Sequence, residues 1–159
     1  MQGKKPDSKD NSTNRSINKL LSEYNSIIKE NEEIYHKAAK NIGIPNCAFW
    51  IFYMLREEDE KITQSDICNV LYQPKQTVNS ALKKLSSEGY IKLVTIAGSN
   101  SKQIHFTEKG RKFAEETIDK VIACEQKALS GMDLEEQQAF FALLRKFTKL
   151  LKENMEEVL

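Results

Sequence analysis

Residues 63–112 constrain the fold of this chain more than any other stretch. A short apolar-periodic segment, Ile67, Val70 and Leu71, is followed by Tyr72-Gln73-Pro74 and then by Val78, Leu82 and Leu85 at helical spacing. Gly89 closes that second segment, since glycine takes the left-handed cap most readily. Beyond it come two short β-prone runs, Ile91 to Ile96 and Ile104 to Phe106, around the turn Gly98-Ser99-Asn100-Ser101. Two helices joined by a tight turn and followed by a ribbon make a winged helix-turn-helix. The same region is electrically lopsided. From Tyr72 to Lys112 there are eight Lys and Arg against Glu88 and Glu108, a net +6. The whole chain is +1, and subtracting +6 leaves −5 for the rest. A basic face on a near-neutral protein is the footprint expected of a nucleic-acid reader.

The flanking segments are read by the same periodicity. Ile17, Leu20, Leu21, Tyr24, Ile27, Ile28 and Ile34 predict a helix over 17–40. Gly43 and Pro45 interrupt it, and Asn46 is placed to cap a second helix that buries Cys47, Trp50, Ile51, Met54 and Leu55. The acidic run Glu57 to Glu60 reads as a solvated loop. Thr63 with Asp66, and Asp133 with Glu136, have the spacing of capping boxes. Pro74 suits a first helical position. Thr107 begins a helix carrying Phe113, Ala114, Ile118, Val121 and Ile122 that ends at Gly131. The last helix carries Phe140, Leu143, Leu144, Phe147, Leu150 and Leu151. The polar first 15 residues have the composition of a disordered tail. Apolar stripes on the first and last helices exceed what a compact winged-helix core can cover, which predicts a partner subunit, with a monomeric helical bundle as the plainer alternative.

The expected fold is therefore mainly α with a small β-ribbon. A winged helix-turn-helix lobe of about 46–110 is flanked by dimerisation helices of about 17–40 and 111–157, all within one domain of residues 16–159. No apolar run reaches the roughly 20 residues of a membrane helix. The N-terminus lacks the apolar stretch of a signal peptide. Three widely separated cysteines suggest a reducing compartment without a disulfide framework. A cytoplasmic protein is expected.

The second helix of the motif presents Lys75, Gln76, Asn79, Ser80 and Lys83 away from its apolar side. Gln and Asn match adenine edges, while Lys contacts guanine or phosphate. The base-reading set is Gln73, Lys75, Gln76, Asn79 and Ser80, with Thr77 on the same stretch. The phosphate set is Lys75, Lys83, Lys84, Lys102 and Lys109. A merely solvated polar face is the competing reading, and the local +6 favours DNA over it.

Here QPKQTVNSALKKLSSEGYIKL, a short ribbon and IHFTEKGRKF together resemble the MarR family of winged-helix transcription regulators. The resemblance covers about residues 17–155. Its most specific parts are the Pro-led helix ending in SSEGYI and the FTEKG junction. It implies a homodimer on a palindromic duplex operator, often released by a small molecule or an oxidant. It also implies that effectors enter a cleft beside the dimer arm, which Tyr35, Phe49, Trp50 and Tyr53 would line; ordinary core packing is the alternative for such aromatics. The family's charged wing-tip cluster is replaced here by Gly98, Ser99 and Asn100. An arginine that would enter a narrow minor groove is thus missing, and the tip is expected to add little affinity.

Catalysis has little support. His36 and His105 lack Cys or acid neighbours at metal spacing, and no phosphate-cradling loop, nucleophile elbow or carboxylate pair is present. No enzyme activity, metal or cofactor is expected. Cys47, at the start of the second helix, is the candidate redox thiol, because a helix dipole stabilises a thiolate. Cys68 and Cys124 read as small core residues. The expected function is a sequence-specific duplex-DNA-binding transcriptional regulator, a dimeric ligand-responsive repressor. The rival is a winged-helix interaction module docking an acidic partner.

Overall fold

A computed structural model describes residues 8–57, 62–96, 98 and 102–158, with side chains from Asn14 onward. The helices are α1 (Ser8–Ile42), α2 (Asn46–Glu57), α3 (Gln64–Leu71), α4 (Lys75–Ser87), α5 (Glu108–Glu116), α6 (Ile118–Ser130) and α7 (Leu134–Met155). Strands β1 (Ile91–Thr95) and β2 (Lys102–Phe106) form an antiparallel ribbon between α4 and α5. The fold is mainly helical with a two-stranded sheet, as the sequence predicts. Two compact units divide at Gly110: Met1–Gly110 and Arg111–Leu159. The first unit groups α1 with the winged lobe.

The core of the first unit is built on α2. Phe49, Ile51 and Phe52 are wholly buried, and Leu55 is nearly so. Ile67 of α3 and Val78, Leu82 and Leu85 of α4 are buried too, as are Ile91, Ile104 and Phe106 of the ribbon. Each such side chain stabilises the fold by about 1.5–3 kcal/mol when removed from water. Phe52 links helix to ribbon directly. Its ring stacks on Phe106 with centroids 5.5 Å apart and meets Tyr90 edge-on at 5.7 Å. The Phe49 and Phe52 face displaces the expected burial of Cys47 and Trp50, which are only half-buried.

Several local signals act as their chemistry requires. Thr63 Oγ1 accepts the amide of Asp66 at 3.3 Å, and the Thr63 amide donates to the Asp66 carboxylate at 2.8 Å. The Asp133 and Glu136 box closes likewise, with both bonds at 2.9 Å. Tyr72 makes the α3–α4 turn in the left-handed region, at φ 49°. Gly89, at φ +76°, sits in a Schellman motif: its amide donates to Ser86 and the Tyr90 amide donates to Leu85. Pro74 lies one residue earlier than expected, as the N-cap of α4. Asn46 is likewise the first residue of α2 rather than its cap, and the Pro45 carbonyl accepts the amide of Phe49.

Four features differ from the sequence reading. The first helix begins at Ser8 rather than near 17, because no Gly or Pro lies between Pro6 and Gly43 to stop it; residues 1–7 lie outside the described residues. The single helix expected from Thr107 to Gly131 is broken at Thr117. There the backbone leaves helical geometry (φ −127°, ψ −67°), and the Thr117 hydroxyl donates back to the Phe113 carbonyl at 2.6 Å. In the ribbon, β1 ends at Thr95, so Ile96, expected in the strand, lies just beyond it; Ile91 pairs with Phe106 and Leu93 with Ile104. Finally, Val70 is 58 % exposed and Cys124 is exposed, whereas both were expected in the core. Of the acidic run, Glu57 ends α2 and residues 58–60 lie outside the described residues. No helix among the described residues is long and apolar enough to cross a membrane.

The junction from β2 to α5 locks the ribbon in place. The Thr107 amide donates to the Tyr90 carbonyl at 3.0 Å, and the Thr107 hydroxyl donates to the Gly89 carbonyl at 2.6 Å while accepting the Gly110 amide. A side chain at 110 would place its Cβ 1.9 Å from the Tyr90 carbonyl oxygen. Gly110→Ala should therefore destabilise the protein by about 1–3 kcal/mol through overpacking. Urea unfolding of the variant against wild type reads this as a lower midpoint at unchanged slope; an unshifted midpoint contradicts the steric role.

Candidate nucleic-acid interface

The recognition-helix candidate α4 starts where α3's N-terminus ends its own turn of capping bonds. Gln64 Nε2 reaches the Lys75 carbonyl at 3.4 Å, so the two helix starts are held side by side. The Asp66 carboxyl is held below the usual carboxylate range, first by the Thr63 hydroxyl and then by the Thr63 amide. The ribbon is fastened to the same place. The Ile104 amide donates to the Ile62 carbonyl at 2.9 Å, and Thr63 bridges to Gln103.

These ties build a groove of about 390 Å³ between α3, α4 and the ribbon. Lys75, Asn79, Leu82 and Lys83 line it from α4, Leu93 and Lys102 from the ribbon, and Thr63, Gln64 and Ser65 from the start of α3. Three lysines around one groove, with no acid among its described lining residues, give a local positive potential that attracts phosphate. Lys75, Asn79, Lys83 and Lys102, each proposed from sequence, are thus brought together. Gln76, Thr77 and Ser80 are exposed on α4 outside this lining. The Ser80 hydroxyl donates to the Gln76 carbonyl at 2.9 Å, which leaves its oxygen to act as an acceptor.

Three expected contacts are placed elsewhere. Lys109 donates to the Glu88 carbonyl at 2.7 Å and its ammonium lies 4.2 Å from the centre of the Tyr90 ring. It closes the C-terminus of α4, and this bond explains why it does not join the groove. Lys84 lies 3.9 Å from Glu88, an exposed i,i+4 pair. Gln73 lines a different cavity, described next. At the wing tip, Gly98 is exposed at φ +76°, while Ser99, Asn100 and Ser101 lie outside the described residues.

A second cleft, of about 710 Å³, lies between α1, α2 and the α3–α4 turn. Of the four aromatics named from sequence, Tyr35, Trp50 and Tyr53 line it and Phe49 does not: Phe49 is fully buried, with its ring edge-on to Trp50 at 5.2 Å. The difference is one of helical phase, since a run of aromatics does not say which ring faces inward. Sequence reasoning missed Glu32, His36, Glu57 and Val70 in this lining. Cys47 also lines the cleft, but burial, and then the nearby Cys68 thiol, push its pKa up. Burial thus acts against the thiolate stabilisation expected at this helix start. Among the described residues no group of three or more His, Cys, Asp or Glu is placed to hold a metal ion.

The comparisons with known proteins agree with this geometry. A family model described as MarR family matches residues 42–98, from the end of α1 to the ribbon turn. Residues 42–98 are thus similar to that family. The likeness in fold extends well beyond them. The NMB1585 MarR-family regulator of Neisseria meningitidis superposes with a TM-score of 0.75 at 19% identity, over 88% of this chain and 99% of its own. A MarR regulator of Methanosarcina mazei Go1 gives 0.60 at 22% identity, over 89% of this chain and 99% of its own. MepR of S. aureus, in a complex with DNA, gives 0.63 at 23% identity, over 80% and 94% respectively. No curated protein sequence matches the chain.

The Cys47 chemistry yields a direct check. A thiol held above its usual range stays protonated and unreactive at neutral pH. In site-resolved iodoacetamide labelling near pH 7, Cys124 should react fastest and Cys47 should lag, accelerating only as pH climbs past the ordinary thiol range. Preferential labelling of Cys47 at neutral pH would restore the redox candidacy.

Proposed function

We propose that the chain is a sequence-specific duplex-DNA-binding transcriptional regulator, a cytoplasmic homodimer that represses its target and is released by a small-molecule effector. The carrying observation is the groove in which Lys75, Asn79 and Lys83 of α4 meet Lys102 of the ribbon on a MarR-type fold. The likeness to a MarR-fold protein solved on DNA supports the same reading. Lys75, Gln76, Thr77, Asn79 and Ser80 at the start of α4 read base edges, because early residues of a recognition helix reach furthest into the major groove. Lys83 and Lys102 neutralise phosphates, with Lys84 at the periphery.

The dimer rests on exposed apolar surface. No residue of α7 is buried, although Phe140, Leu143, Leu144, Leu150 and Leu151 lie along it. On α1, Leu20 is 62% exposed, and Ile17, Ile27 and Ile34 are also open. A second copy covering these stripes gives twofold symmetry, and a twofold protein favours a palindromic site. The effector site is the cleft beside α1. Its wall includes Val70, Leu71 and Gln73, so a ligand there touches the segment that aims α4.

The DNA reading is tested by selecting genomic fragments with the purified protein and titrating the winner by fluorescence anisotropy. Lys83→Ala and Lys102→Ala should each flatten the logarithmic salt slope by about 0.9. Lys109→Ala should leave that slope almost unchanged, its ammonium being engaged with Glu88 and Tyr90. Asn79→Ala should cost about 1–3 kcal/mol of discrimination at one base pair. Equal losses on selected and random DNA remove the reading role of Asn79, and binding that duplex DNA cannot compete points to a protein partner instead.

The dimer is tested by sedimentation equilibrium. Wild type should be dimeric at micromolar concentration. Leu144→Asp with Leu151→Asp should dissociate or unfold it, since two charges would lie unpaired in an apolar interface. A stable wild-type monomer ends the proposal.

A further inference from the structure

The chemistry of the 710 Å³ cleft goes further than its position. Three rings form its wall. Trp50 is central, with Tyr35 at 5.0 Å and Tyr53 at 5.4 Å, tilted at 48° and 61°. Tilted rings around one space present π-faces and edges from several directions, and π-faces carry negative electrostatic potential. Two carboxylates, Glu32 from α1 and Glu57 from the end of α2, belong to the same lining. Among the described lining residues there is no Lys or Arg. The charge of the cleft is thus opposite to that of the groove below α4, where three lysines gather.

We propose that this cleft binds a lipophilic organic cation, an onium or protonated amine on a bulky apolar body. Cations over aromatic faces are attracted by the ring quadrupole, and partial desolvation strengthens that attraction. Glu32 and Glu57 add long-range attraction at the rim, whereas an aromatic acid of the same size meets repulsion from both. The apolar body fills the space between the rings. The inference deepens the proposed effector response by naming the ligand class, and it rests on that reading only for the coupling to DNA.

Tetraphenylphosphonium and tetraphenylborate are the probes, because they have nearly the same shape and opposite charge. Trp50 is the sole tryptophan, so quenching of intrinsic tryptophan emission reports from inside the cleft. The titrations use full-length protein without DNA. The cation should bind at least about tenfold more tightly than the borate, the order of one well-placed charge interaction. Glu32→Gln and Glu57→Gln, both surface positions, should together weaken the cation severalfold and narrow the difference between the probes. Circular dichroism confirms that these variants stay folded, and Glu32→Gln alone serves if the double variant does not. Equal or tighter binding of the borate overturns the proposal. So does cation affinity that ignores both substitutions, or the absence of quenching by either probe. A cation that binds as stated yet leaves operator affinity unchanged removes the effector response from the proposed function, while the ligand class stands.

Discussion

The carbonyl oxygen of Tyr90 is the point on which the winged lobe turns. It accepts the amide of Thr107 and lies against Gly110, so the chain leaving α4 and the chain entering α5 meet at one atom. Around it the Schellman cap of α4, the start of β1 and the N-cap of α5 are closed by Gly89, Tyr90 and Thr107. Lys109 fastens the same corner from outside through the Glu88 carbonyl and the Tyr90 ring. With the corner rigid, ribbon register places Lys102 over the groove that Lys75, Asn79 and Lys83 line from α4. Precision at the candidate interface is therefore set at the end of the ribbon away from Lys102.

Two cavities of contrasting charge lie in the same compact unit. The basic groove follows α4, and the acidic, aromatic cleft follows α2 and α1. The turn between α3 and α4 borders both: Gln73 lines the cleft, and Lys75, two residues on, lines the groove. A single short segment, held in left-handed geometry at Tyr72, thus separates opposite potentials. Any ligand that binds the two sides differently has the differential contact that a population shift requires.

Much of this was legible in the sequence where the signal is local. Thr63 with Asp66 and Asp133 with Glu136 are three residues apart, and the spacing alone implies both bonds of each box. Pro74, Gly89 and the apolar period Val78, Leu82, Leu85 define α4 in the same way. What escaped was tertiary. The break at Thr117 runs against an apolar period that continues from Phe113 to Ile118, and only the back-bonded hydroxyl marks it. Counting charges put Lys109 with the DNA-facing lysines, because composition does not show which ammonium already has a carbonyl. Phe49 lies in the core rather than at the cleft, since neighbouring aromatics satisfy more than one helical phase. The meeting of Lys102 with Lys83 depends on strand register, which the turn residues did not specify.

The two glycines at the Tyr90 corner are required for different reasons. Gly89 is there for an angle: its backbone is left-handed, with open space where a Cβ would go. Gly110 is there for a volume: its space is already filled by a main-chain oxygen. Asparagine tolerates the first condition, and no side chain meets the second. In a library randomised at both positions and selected for folding, position 89 should keep two residue types and position 110 only one. The corner would thus be recognisable in survivors whose surface had otherwise been rewritten.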